Sequence, residues 1–175
     1  KNQKKYFITY GTKDFSIQKK NLIRLAKDSG QFNYVLDFEK KDIDHEFLNK
    51  FKHIFSNKKG AGFWIWKYYF IKTTFEKLNT DDILVFSDAG SSLNLAGKKR
   101  LNEYFEMLNE SSLGNLRFQM KYIEKFWTSS ELFEYFKLSL SSDIANSGQL
   151  VGGHILLKKN ENSMEILNAF EKLLN

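Results

Sequence analysis

The chain has no cysteine and no proline in 175 residues, and only three histidines. Without cysteine there is no disulfide framework, no thiolate zinc site and no thiol nucleophile. His45, His53 and His154 are scattered, and none stands at metal-ligand spacing from a carboxylate. Gly-x-Ser-x-Gly and Walker sequences are also missing. No apolar run approaches the ~20 residues that span a bilayer. The basic start, Lys1-Asn2-Gln3-Lys4-Lys5, leads directly into a strand-like segment, so no signal peptide is visible and a cytoplasmic location is expected.

What the chain does have is apolar and aromatic. Hydrophobic residues make up 42%, enough to bury a core, and 17 Phe, 8 Tyr and 3 Trp supply much of it. Lys and Arg number 27 against 21 acids, a formal +6. These cations come in twos and threes, as at Lys19-Lys20, Lys58-Lys59 and Lys98-Lys99-Arg100. Such spreading fits a solvated surface, or attraction to sugar-nucleotide diphosphates or an acidic lipid surface. It lacks the dense stripe or module of a nucleic-acid binder, so no nucleic-acid partner is expected.

Strand and helix patterns alternate. Lys5–Tyr10, Tyr34–Phe38, Ile83–Phe86, Leu116–Met120 and His154–Lys158 read as strands. Helical spacing predicts Ile17–Ser29 behind an N-cap at Ser16, a helix capped by Asp44, then Phe63–Leu78, Lys98–Asn109, Glu131–Lys137 and Ser163–Leu174. Ser141–Gly148 reads as a polar loop. The class is α/β, one domain over 1–175, with a central mixed, mostly parallel sheet and helices on both faces.

Ligands of open α/β sheets gather beyond the carboxyl ends of the strands, and three such places carry unusual polar sequence. The apolar run Ile83–Phe86 delivers Ser87 and Asp88 to a strand tip, followed by Gly90, Ser91, Ser92 and Asn94. A carboxylate there either ligates a divalent cation or holds a ribose hydroxyl, or it caps the next turn. In Gly60-Ala61-Gly62-Phe63-Trp64-Ile65-Trp66-Lys67, a glycine turn enters a helix beside two tryptophans and a lysine. Backbone N–H groups and Lys67 there suit a diphosphate, while Trp64 and Trp66 equally suit core packing. The third stretch holds Gln149, Gly152 and Gly153 ahead of the last strand, where the amide of Gln149 can read sugar hydroxyls. Asp42-Ile43-Asp44 is the one literal Asp-x-Asp, but it precedes a helix and reads as a cap.

Taken in order, these segments resemble bacterial glycosyltransferases of the GT-A fold from capsule and surface-polysaccharide clusters. The resemblance spans about residues 6 to 170. It rests on Gly60–Lys67, on Ile83–Asn94, on Lys125-Phe126-Trp127-Thr128 ahead of Phe133 and Phe136, and on Gln149 before Gly152-Gly153. It implies transfer from a nucleotide-diphospho-sugar donor to a carbohydrate or lipid-linked glycan acceptor, and the +6 charge fits peripheral association with an anionic membrane face. It places Thr9, Tyr10 and Gly11 against the base and matches Asp88 to the first acid of the family's Asp-x-Asp element. The expected cofactor is a divalent cation, Mn²⁺ or Mg²⁺, on Asp88. The sequence departs from the pattern twice: Gly90 replaces the second acid, and Tyr68 replaces the proline usual after Trp-Lys. Gly62, Trp64, Trp66, Ser87, Gly90, Asn94, Gln149, Gly152 and Gly153 complete the implied donor pocket. Asp88 and Lys67 are expected at the diphosphate, and Asp143, in the polar loop, is the candidate acceptor base. A non-catalytic nucleotide-sugar or glycan-binding module with a degenerate metal site is the alternative.

Overall fold

β-branched and aromatic segments become seven strands among the described residues, 3–174 of the computed structural model. They are β1 (Lys5–Tyr10), β2 (Tyr34–Phe38), β3 (Ile83–Ser87), β4 (Asn115–Leu116), β5 (Gln119–Ile123), β6 (Gly148–Leu150) and β7 (His154–Lys158). The chain divides into two units, one of Lys1–Leu116 with Ile155–Asn175 and one of Arg117–His154.

The first unit is built on a five-stranded sheet in the order β2-β1-β3-β7-β4. β1 lies parallel to both β2 and β3, while β4 runs antiparallel to β7. The mixed α/β sheet expected from the sequence is therefore present. Parallel neighbours need long crossovers, and helix Ser16–Asp28 supplies the one from β1 to β2. Every residue of β3 is buried, as a strand covered on both faces requires. Helices Ile65–Glu76, Lys98–Glu110 and Glu161–Leu174 accompany the sheet.

Register sets the site. Ile8 pairs with Phe86 and Tyr10 with Phe38, so β1, β2 and β3 end side by side. At those ends aromatic rings form a continuous stack. Trp66 lies 4.0 Å from Tyr10, Tyr10 lies 5.4 Å from Phe70, and Phe70 lies 4.4 Å from Phe38. Asp82, nearly fully buried at the opposite end of β3, accepts backbone N–H bonds from Lys4 and Asn79 and fixes where the strand starts.

The second unit pairs β5 with β6 antiparallel and carries short helices Ser130–Tyr135 and Asp143–Asn146. Two expectations change here. Leu116–Met120 is not one strand: it splits between β4, which joins the first sheet, and β5, which pairs with β6. Part of the expected Ser141–Gly148 loop is helical, because the Ser142 side chain accepts from Ala145 N and caps it. Ser16 begins its helix as the first helical residue, with Phe15 at the cap position.

Phe70 links the sheet, its helix and the strand ends, and it is 1% exposed. Phe70→Ala is expected to lower unfolding free energy by about 3–5 kcal/mol, read as a shifted urea midpoint. A loss below about 1 kcal/mol contradicts this packing.

Candidate functional site

The segment that leads into helix Ile65–Glu76 is a left-handed turn. Five consecutive residues, Gly60 to Trp64, have φ of 58, 50, 99, 48 and 60°. Phe63 N donates to Lys59 O and Trp64 N to Gly60 O, so the turn closes helical bonds with the opposite hand. The expected helix over Phe63–Leu78 therefore starts only at Ile65. Glycine takes this conformation readily, but Ala61, Phe63 and Trp64 each carry about 1–2 kcal/mol of strain. Burying the Trp66 indole returns about 4–6 kcal/mol, and its Nε1 donates to Gly60 O at 2.9 Å. The two terms balance within a few kcal/mol.

The turn aims the three side chains that follow. Trp64 packs over Gly60 so closely that a Cβ there would lie 2.5 Å from the indole. Its other side is open, leaving the residue 46% exposed. Trp66 points inward onto Tyr10. Lys67 reaches the tip of β3, where Nζ stands 2.9 Å from Asp88 Oδ1. That oxygen is buried and takes no aligned hydrogen bond, so the ammonium is its counterion. Nζ also lies 5.1 Å from the Phe86 ring centroid and 5.7 Å from that of Trp66. Low-dielectric aromatic walls strengthen such a pair.

Around these groups lies a cleft of about 420 Å³, lined by Tyr10, Gly11, Thr12, Asp14, Phe15, Lys58, Gly60, Ala61, Trp64, Trp66, Asp88, Ala89 and Gly90. A second hollow of about 470 Å³ shares Tyr10, Gly11, Thr12 and Ala61 and continues past Lys13, Lys19, Glu39, Lys40 and Lys41. Gly11 separates β1 from the tip of β3, and a Cβ there would come within 3.0 Å of Ala89 Cβ. Lys19 is 4% exposed; it lies 3.6 Å from Asp37 and 3.5 Å from Glu39 and donates to Phe38 O. Lys41 and Lys19 together hold the Glu39 carboxyl below its ordinary range, Lys41 contributing most. Burial pushes the Tyr10 phenol up, so it is neutral at pH 7.

Tyr10, Gly11, Trp64, Trp66, Asp88 and Gly90 thus share one cleft, with Lys67 paired to Asp88. Thr9 lies apart: it is wholly buried in β1 and offers no side-chain surface to a base. Ser87 is buried as the last residue of β3, and Gly62 is buried within the left-handed turn. Asn94 caps the following turn through Ala96 N and lines a different hollow, beside Leu95 and Tyr104. Asp143, Gln149 and Gly152 belong to the second unit, as does Gly153; Asp143 is exposed at the start of its short helix. Asp14 and Glu39 were not singled out from the sequence, and Lys19 and Lys58 stood there only within dispersed cation pairs. For Glu39 a signal existed, since it follows the end of β2 as Asp88 follows β3.

A divalent cation is poorly matched by these groups. Asp88 already carries an ammonium, Gly90 supplies no oxygen ligand from its side chain, and Asp14 is exposed on the cleft wall. Among the described residues no three His, Cys, Asp or Glu side chains gather as a metal site.

No protein-family model matches the chain. No curated protein matches it in sequence either. Among solved structures, it is similar to a glycosyltransferase involved in glycosylation of the major capsid of PBCV-1, with a TM-score of 0.51 and 13% identity. The match covers 98% of this chain and 66% of that one, so the chain spans slightly less than two thirds of its neighbour. The likeness is one of fold, a mixed α/β sheet flanked by helices.

Two substitutions test the turn. Ala61→Gly is expected to stabilise the protein by about 0.5–1 kcal/mol, because glycine carries no left-handed penalty; destabilisation in a urea titration contradicts a positive φ at this residue. Gly60→Ala is expected to displace the Trp64 indole and change the near-ultraviolet circular dichroism, whereas an unaltered spectrum contradicts the contact.

Proposed function

We propose that the chain is the donor-binding part of a glycosyltransferase. It moves a sugar from a nucleotide-diphospho-sugar to a carbohydrate or lipid-linked glycan acceptor. The observation that carries this reading is the cleft at the carboxyl ends of β1, β2 and β3, whose wall residue Asp88 is ion-paired to Lys67. A nucleotide sugar needs a place for an aromatic base, ribose hydroxyl acceptors and cations at the diphosphate. Phe15, Ala61 and Trp64 offer apolar surface, Glu39 offers carboxylate oxygens, and Lys58 and Lys67 offer positive charge.

In the transfer, the bond from the donor anomeric carbon to the β-phosphate oxygen breaks. Its electron pair stays on that oxygen, and the nucleoside diphosphate leaves. An acceptor hydroxyl oxygen forms the new bond to the anomeric carbon, and its proton passes to a base. Lys67, held in place by Asp88 and the two rings, lowers the barrier by facing the charge as it grows on the leaving phosphate. The exposed Trp64 indole lies where a sugar face can stack.

Bacterial surface polysaccharide, capsule or lipopolysaccharide, is the product class in this reading, with the enzyme at the inner face of the cytoplasmic membrane. Among the described residues no helix is long and apolar enough to cross a membrane. The rival reading is a nucleotide-sugar or glycan-binding module without turnover, and the observation favouring it is Gly90 in place of a second acid.

Incubation with radiolabelled UDP-, GDP-, TDP-, CDP- and ADP-sugars separates the readings. Transfer or slow hydrolysis of at least one donor is expected, with Lys67→Ala reducing kcat/KM by roughly 10²–10³-fold. Binding without turnover supports the rival. Neither binding nor turnover with any donor contradicts both.

A further inference from the structure

The residues at the strand tips do not form a divalent-cation site, and this mismatch points to a different way of handling the donor's charge. Asp88 is the carboxylate that β3 delivers to the cleft, and Lys67 Nζ occupies the space 2.9 Å from its buried oxygen. The Asp88 side chain is 40% exposed, so a dication would have to use its second oxygen, a carboxylate's width from the ammonium on the first, and aromatic rings flank that lysine. The lysine is not a loose surface group: its side chain is 16% exposed and leaves from the first turn of helix Ile65–Glu76. The left-handed turn before that helix fixes where it emerges.

Gly90 adds a second line of argument. Its φ lies outside the left-handed region, and a Cβ there would meet the Phe15 ring at 3.5 Å, an ordinary contact. The backbone therefore does not require glycine at this position. A second carboxylate is absent even though the fold has room to carry one.

Resting on the glycosyl-transfer reading above, we propose that the donor diphosphate is neutralised by Lys67, assisted by Lys58, and that the site works without a divalent cation. Lys67 takes the electrostatic role of the metal, and Asp88 orients its ammonium. Lys58, which lines the cleft as Asp88 does, supplies the second positive charge that a dianionic diphosphate needs.

Calorimetric titration of UDP, GDP, CDP, TDP and ADP into the protein, in EDTA and separately in Mn²⁺, tests this. The affinity for the nucleotide that binds is expected to differ less than twofold between the two conditions. Lys67→Ala is expected to weaken it more than tenfold in both, and Lys67→Arg to restore most of it; circular dichroism of each variant reports that it is folded. In a paired experiment, the electron paramagnetic resonance signal of free Mn²⁺ is expected to be undiminished by the protein alone. The double variant Lys67→Ala with Gly90→Asp is expected to acquire Mn²⁺-dependent nucleotide binding. Binding that appears only with Mn²⁺, or strengthens more than tenfold with it, overturns the inference and leaves the transferase reading intact. Absence of binding by every nucleotide in both conditions overturns the two together.

Discussion

The left-handed turn from Gly60 to Trp64 is the constraint on which the cleft depends. A right-handed helix continuing through these residues would carry Trp64, Trp66 and Lys67 around a different arc and separate them from the strand tips. The reversed hand aims one indole outward, one indole into the aromatic stack and one ammonium onto Asp88. Strain in non-glycine residues is kept only where surrounding contacts over-determine it. Here the Trp66 indole does so twice, by packing on Tyr10 and by donating to Gly60 O. The strained segment is also a wall of the cleft, where rigidity holds charged groups in position before a ligand arrives.

The parallel sheet supplies the other half of the arrangement. Because β1, β2 and β3 run in one direction, Gly11, Glu39 and Asp88 emerge at the same edge although they are distant in sequence. Each follows its strand almost immediately, so little loop is spent between rigid element and site. Two buried or half-buried lysines then organise the acids. Lys19, lining one hollow, ties together Asp37, Phe38 O and Glu39, while Lys67 holds Asp88 on the wall of the other. The cleft is thus a set of pre-paired charges on aromatic backing, suited to an anionic ligand with hydroxyl donors.

Much of this was legible before any coordinates, for identifiable reasons. The uninterrupted apolar run Ile83–Phe86, bounded by turn formers, suits a strand covered on both faces, and that places Asp88 at its tip. Asp44 as a helix cap was equally readable, and its side chain accepts from Phe47 N. The left-handed turn was not, because Phe63 and Trp64 have no intrinsic preference for positive φ and adopt it under tertiary packing. Thr9 and Asn94 illustrate the limits of proximity in sequence. Thr9 alternates into the sheet interior, and Asn94 turns away to cap Ala96. Lys19 reads as one of many helix-surface lysines until β2 is laid beside β1, when it becomes a buried hub between two carboxylates.

The central claim is that the strand-tip cleft receives a nucleoside diphosphate on Lys67. A crystal structure of the protein with the tightest-binding nucleoside diphosphate, grown in EDTA, tests it most directly. The account predicts a β-phosphate oxygen within hydrogen-bond distance of Lys67 Nζ, with the base in the hollow bounded by Tyr10 and Ala61. A nucleotide seated elsewhere, with the Lys67–Asp88 pair untouched, would contradict it.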